Sequence, residues 1–122
     1  MKSKKFLVVD DEKYLRDLLV RLFGAKYDVK GVENGFLAID EIKKNKYHLV
    51  LLDIMMPGID GIDVLKQIMV LDPKIRVVMM TGYAVEEKLK MSIALGALAF
   101  IHKPFELFEV EELIEEVERK QI

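Results

Sequence analysis

LVLLDIMMPGIDGIDVLKQIMVL, residues 49–71, is the stretch that decides the fold. It opens on Leu49-Val-Leu-Leu52, an apolar run without polar alternation, which suits a strand buried on both faces of a parallel sheet. The run stops at Asp53. Pro57-Gly58 supplies turn chemistry, and Asp60 is a natural N-cap for the helix that follows. From Gly61 to Leu71 the apolar residues recur at helical spacing, until Asp72-Pro73 ends the pattern. Strand, carboxylate, turn and helix together make one βα unit.

The same unit recurs on both sides. Phe6-Leu-Val-Val9 and Val77-Val-Met-Met80 are comparable apolar runs, and Ala99-Phe-Ile101 is a shorter one. Tyr27 to Val32 alternates apolar and polar residues, which suggests an edge strand. Helical patterns cover Glu12–Phe23, Gly35–Lys44, Val85–Leu95 and Leu107–Lys120, with turn residues at Gly24, Asn34-Gly35, Gly96 and Lys103-Pro104. Strands alternating with helices imply right-handed crossovers and an open, doubly wound α/β sheet.

Composition narrows the class. A chain of 122 residues with no repeat, low-complexity stretch or Gly/Ser linker reads as a single domain, residues 1–122. It is 52% apolar and 33% charged, enough for a core and a solvated surface. A net charge of −2 gives no footprint for direct nucleic-acid or membrane-surface binding. The absence of cysteine removes disulfides, thiolate nucleophiles and Cys-ligated metals. The apolar run after Met1-Lys-Ser-Lys-Lys is too short for a signal peptide or a span, so a cytoplasmic location is expected.

The chemistry gathers where the strands end. The first run ends at Asp10-Asp11, the middle one at Asp53, the next at Thr81, and the last near Lys103. Open α/β sheets bind ligands outside the carboxyl ends of their strands, so these residues should converge on one pocket. Three carboxylates in one pocket repel one another unless a cation neutralises them. All-oxygen ligands point to a hard ion, Mg²⁺ or alternatively Mn²⁺. One carboxylate oxygen would remain free as a nucleophile toward a phosphoryl group, with Lys103 and the Thr81 hydroxyl binding the other phosphoryl oxygens. Each residue has a plainer role taken singly. Asp11 could cap the first helix, Asp53 could cap a loop, and Thr81 could serve the turn at Gly82. Turns alone do not explain the set.

Phe6-Leu-Val-Val-Asp-Asp-Glu12, Leu51-Leu-Asp-Ile-Met-Met-Pro-Gly-Ile-Asp-Gly61, Met80-Thr-Gly-Tyr83 and Gly96-Ala…Lys103-Pro-Phe105 resemble the motif set of response-regulator receiver domains. The resemblance runs through the whole chain in order, toward stand-alone receivers of the sporulation-phosphorelay or chemotaxis type. It implies the flavodoxin-like (βα)5 fold, a five-stranded parallel sheet of order 2-1-3-4-5, the order also found in a chemotaxis member of this family. It implies Asp53 as phosphoacceptor, and Asp10, Asp11, Asp53 and the backbone carbonyl of Met55 as Mg²⁺ ligands. It also implies Thr81 and Phe100 as the switch pair, Lys103 as the partner of the phosphoryl group, and a cis bond before Pro104. The activity implied is acceptance of a phosphoryl group from the phosphohistidine of a sensor histidine kinase, then relay or display of it to a phosphotransfer or effector protein. Such a domain is no ordinary enzyme: it catalyses its own phosphorylation and a slow autodephosphorylation. A monomer is expected.

Alternatives are a receiver excised from a longer DNA-binding regulator and an aspartyl-nucleophile phosphohydrolase. The contexts of Thr81-Gly-Tyr and Lys103-Pro-Phe also resemble the enhancer-binding regulators. Against excision, the chain begins with Met and ends just after its last helix. The phosphohydrolases usually carry Asp-x-Asp and a cap domain, whereas Asp10 and Asp11 are adjacent and no residues remain for a cap. A flavin-binding flavodoxin is disfavoured by the first loop, which lacks a Ser/Thr/Gly-rich phosphate cradle.

The first helix offers a partner surface. At ~100° per residue, Leu15, Leu19, Leu22 and Phe23 form a core-facing arc, with Tyr14 and Leu18 at its edge. Tyr14, Leu15 and Leu18, with Pro104 and Phe105 from the last βα loop, are expected to meet the kinase helix pair. Met55 and Tyr83 occupy positions where fast-dephosphorylating relatives carry polar groups, so a long-lived phosphoryl group is expected. His48 reads as a loop residue before the third strand and His102 as a rim residue. Met55, Met56, Met79 and Met80 read as core and loop filler. The Glu-rich last helix, with Arg119 and Lys120 late, reads as a solvated face that suits the helix dipole.

Overall fold

The computed structural model describes residues 4–82 and 86–120. Its strands are β1 (Lys5–Val9), β2 (Asp28–Val32), β3 (Leu49–Asp53), β4 (Arg76–Thr81) and β5 (Ala99–His102). Its helices are α1 (Lys13–Phe23), α2 (Gly35–Lys44), α3 (Gly61–Leu71), α4 (Glu86–Ala94) and α5 (Leu107–Arg119). The strands form one sheet of order β2-β1-β3-β4-β5, with every neighbouring pair parallel. Strand and helix alternate throughout, and β2 lies at the edge as its alternation suggests.

The apolar runs are continuous because each central strand feeds two cores. Successive side chains point to opposite faces. Leu7, Val9, Val50, Leu52, Val77 and Met79 face one way, onto Ala38, Ile39, Val64, Leu65, Ile68 and Leu89 of α2, α3 and α4. Phe6, Val8, Leu49, Leu51, Val78 and Met80 face the other way, onto Leu19 and Phe23 of α1 and Val110, Ile114 and Val117 of α5. Leu15 and Leu22 pack at the margin of that second core, so the core-facing arc of α1 falls where its periodicity places it.

The first helix starts one residue later than its pattern suggests. Glu12 is the N-cap and makes no side-chain cap hydrogen bond. Asp11 is not the cap either; Asp10 takes the local role, its Oδ1 accepting from the Glu12 N–H at 2.8 Å. Asp60 does cap α3, accepting from the Ile62 N–H at 2.8 Å. The start expected for the fourth helix at Val85, and the side chain of Tyr83, lie outside the described residues.

Candidate functional site

Asp10, Asp53, Thr81 and Lys103 sit at or just beyond the carboxyl ends of β1, β3, β4 and β5, and the parallel sheet sets those ends side by side. Asp10, Asp53 and Thr81 are buried, and Asp11 is exposed. One carboxylate oxygen from each of Asp10, Asp11 and Asp53 lies within 4.8 Å of the others. Lys103 reaches into the same space: its Nζ is 2.7 Å from Asp10 Oδ2, 3.1 Å from Asp53 Oδ2 and 3.4 Å from Glu12 Oε1. Its backbone N–H donates to the Thr81 carbonyl oxygen at 2.7 Å, locking the residue after β5 to the end of β4. The Lys103–Pro104 bond is cis.

The backbone around Asp53 is tightly drawn. The Met55 N–H donates to Asp53 Oδ1 at 3.1 Å, and the Gly61 N–H donates to the Ile54 carbonyl oxygen at 2.9 Å. A Cβ at Gly61 would stand 2.5 Å from the Asp53 carbonyl oxygen, so α3 can begin this close to the acidic residue only with glycine there. Asp10 is held from its own side: the Arg16 guanidinium donates to its carbonyl oxygen at 2.8 Å, and its N–H donates to the Val32 carbonyl oxygen at 3.1 Å. Nothing in the sequence pattern singled out Arg16, which acts only because α1 folds back over the end of β1.

The electrostatics follow from burial and crowding. Burial pushes the Asp53 carboxyl up to about 6; Lys103 opposes this and the Asp10 charge adds to it. Burial alone would lower the Lys103 ammonium, but the Asp10 hydrogen bond and the charges of Asp53 and Asp10 outweigh it and raise it. Two buried carboxylates, with the exposed Asp11 and Glu12 beside them, outnumber one ammonium. The donor set is therefore oxygen-rich, negative and without histidine or thiolate, which fits a hard divalent cation.

A groove of about 730 Å³ runs from this pocket across the surface. Asp11, Asp53, Met55 and Lys103 line its polar end, and Tyr14, Leu15, Leu18, Pro104 and Phe105 line its apolar flank. Asp11 and Asp53 of the acidic cluster thus share one groove with all the expected partner-surface residues. Tyr14 is 79% exposed, far more than packing in its own helix requires. Phe100 is 38% exposed on β5, opposite Met79 in register, with its ring edge-on to His102 at 5.6 Å.

Two further features escaped the sequence. Lys88 of α4 forms a 2.7 Å ion pair with Asp60; burial resists it, yet this pair and the Ile62 N–H hold the Asp60 carboxyl below its ordinary value. At the opposite end of the sheet, Glu118 accepts from the Tyr27 hydroxyl at 2.6 Å and lies 2.6 Å from His48 Nε2 and 3.6 Å from Arg76 Nε. His48 is the loop residue its position suggests, and it also fastens α5.

Residues 6–118 match the family model described as response regulator receiver domain. The chain is 39% identical over 115 residues to sporulation initiation phosphotransferase F of Bacillus subtilis, covering 93% of each protein. It is 34% identical over 116 residues to the chemotaxis protein CheY of Halobacterium salinarum, covering 94% of this chain and 97% of that one. The crystal structure of a CheY-like response regulator receiver domain protein from Methanospirillum hungatei superposes with a TM-score of 0.85 at 28% identity, covering 97% of this chain and 98% of that one.

Proposed function

The chain belongs to the response-regulator receiver family of two-component signalling, and from that premise we propose that it is a stand-alone receiver, a single domain over residues 1–122, phosphorylated on Asp53. The observation that carries this reading is the placement of the Asp53 carboxylate. It is 3% exposed, opens on the groove, and has the Lys103 ammonium and the Asp10 and Asp11 carboxylates around it. A carboxylate in that setting is shielded from bulk water yet reachable by a phosphoryl donor. An Asp53 oxygen attacks the phosphorus of a phosphohistidine; a P–O bond forms, the P–N bond breaks, and its electron pair leaves with the imidazole, which takes a proton. Lys103 and the Thr81 hydroxyl neutralise and orient the phosphoryl oxygens.

Receiver domains use Mg²⁺ at such an acidic cluster, and the oxygen set here fits it. Asp10, Asp11, Asp53 and the Met55 carbonyl oxygen would hold the ion, which supplies charge neutralisation at the phosphoryl oxygens. Mn²⁺ would fit the same ligands. The donor is a sensor histidine kinase, docking on Tyr14, Leu15, Leu18, Pro104 and Phe105; a phosphotransfer or effector protein receives or reads the signal. Phosphorylation draws the Thr81 hydroxyl inward and biases Phe100 toward the space it leaves. The protein works as a cytoplasmic monomer, without direct contact to nucleic acid or membrane. No described helix is long and apolar enough to cross a membrane. The domain turns over its own acyl phosphate slowly, Met55 offering no group that orients water.

Incubation with phosphoramidate, a small P–N donor, followed by intact mass, tests this. One phosphoryl adduct that requires Mg²⁺ and vanishes in Asp53→Asn is the expected result. An adduct retained by Asp53→Asn would overturn the assignment.

A further inference from the structure

Lys88 lies in α4 and reaches back to the loop that follows Asp53. Its Nζ is 2.7 Å from Asp60 Oδ2 and 3.7 Å from Met55 Sδ. Asp60 cannot follow the lysine outward: its other oxygen caps α3, and α3 begins hard against the backbone of Asp53 and Ile54 through Gly61. Met55 is a different kind of neighbour. It is 43% exposed, stands in the groove beside Asp53, and its unbranched side chain has three rotatable bonds that leave it free to swing unless something holds it. The α4 side of this contact is also lightly held, since the helix buries only Leu89 and Ser92, and Ser92 spends its hydroxyl on the Lys88 carbonyl oxygen. The lysine is therefore a tie between α4, the cap of α3 and a flexible side chain that flanks the pocket mouth.

We propose that Lys88 is a positioning residue for the chemistry at Asp53: anchored by Asp60, its ammonium holds the Met55 thioether beside the pocket mouth and so prolongs the life of the acyl phosphate. This rests on the reading of Asp53 as the phosphoacceptor. In hydrolysis a water oxygen attacks phosphorus in line with the bond to Asp53. The new P–O bond forms as the old one breaks, the electron pair leaves with the Asp53 carboxylate, and the water proton passes to solvent. Asp53 and its strand block one side of the phosphorus, so the water must enter from the groove, where Met55 stands. A thioether gives that water no useful hydrogen bond, and a thioether that cannot swing aside keeps the path narrow. Lys88, as an ammonium, cannot serve as a base for the water.

The expected effect of releasing the tie is up to about fivefold, the population ratio that a partly exposed ion pair can impose. Wild type, Lys88→Gln, Lys88→Arg and Asp60→Asn are loaded with acetyl phosphate and Mg²⁺, freed of donor, and followed by intact mass as the adduct decays. Asn caps a helix about as well as Asp, so Asp60→Asn removes the pair and leaves the start of α3 intact. Lys88→Gln and Asp60→Asn should each decay faster, the double variant no faster than either, and Lys88→Arg at the wild-type rate because a guanidinium keeps the pair with Asp60. In a Met55→Ala background, Lys88→Gln should change nothing. Normal loading with equal decay in wild type and Lys88→Gln overturns this proposal alone, as does a full Lys88→Gln effect in Met55→Ala. Wild type that never loads sinks the phosphoacceptor reading and this proposal with it.

Discussion

Asp53→Asn should stabilise the metal-free protein. The wild-type carboxyl is 3% exposed, and burial, aided by the Asp10 charge and only partly offset by Lys103, raises it from 3.8 to about 6. Each unit of such a shift corresponds to ~1.4 kcal/mol between the protonation states. Ionised Asp53 therefore costs the native state about 3 kcal/mol relative to the unfolded chain once the pH is well above 6. The sign follows from proton binding. Between 3.8 and about 6 the native state holds the proton more tightly than the unfolded state, so stability falls as pH rises through that window. An asparagine never ionises and carries no such cost. It weakens the contact to Lys103, which trims the gain to roughly 1–3 kcal/mol at pH 7.5. Urea unfolding in EDTA, for both proteins at pH 7.5 and near pH 4, measures it, because groups away from the pocket titrate alike in the two and cancel in the difference. A gain at pH 7.5 that shrinks toward zero near pH 4 is expected. Equal stability at pH 7.5, or a gain independent of pH, would refute the crowded, desolvated picture of the pocket.

Leu18→Asp should slow phosphotransfer from a kinase at least about tenfold, as loss of a central apolar contact does at interfaces, and leave acetyl phosphate labelling unchanged; equal loss in both assays would indicate a folding defect. Glu118→Gln should cost about 1–2 kcal/mol at pH 7, since it weakens charged hydrogen bonds from Tyr27 and His48. Burial resists, but those bonds keep the Glu118 carboxyl below 4.5, so the stability it adds is complete above that value and is lost as pH falls through the lowered one; unfolding midpoints of the two proteins should converge in acid. Beryllofluoride with Mg²⁺ should shift NMR resonances of Thr81, Phe100 and His102 as well as those of the acidic pocket, and shifts confined to Asp10, Asp11 and Asp53 would count against propagation along β4 and β5.

The legibility of the sequence depended on the range of each interaction. The strand runs 6–9, 49–52 and 77–80 could be read because central parallel strands bury both faces, leaving no polar alternation to confuse with a helix. The edge character of β2 was visible in the exposed Asp28 and Lys30. The pocket could be read because a doubly wound sheet puts the carboxyl ends of its strands together, whatever lies between them in sequence; Asp10 and Lys103 meet across 93 positions. The pairs that escaped have no period to betray them. Lys88 with Asp60 spans 28 positions, His48 with Glu118 spans 70, and Tyr27 with Glu118 spans 91. Each involves a residue type that is common on a solvated helix or loop. Glu118 in particular looks like one more charge on a Glu-rich helix until α5 is packed across the start of β3. The plainer reading of Asp11 as a cap for α1 fails for a related reason: it has the right type and place, but the buried Asp10 carboxylate turns back onto the Glu12 N–H, and Asp11 joins the acidic cluster instead.

The most direct test of the central claim is to locate the acyl phosphate chemically. Protein loaded by acetyl phosphate and Mg²⁺ is reduced with borohydride, which converts a phosphorylated aspartate to homoserine, and is digested and sequenced by tandem mass spectrometry. The account predicts the conversion at position 53, absent without donor and absent when Mg²⁺ is chelated. Conversion at Asp10, Asp11 or any other carboxylate, with Asp53 left unmodified, would contradict it.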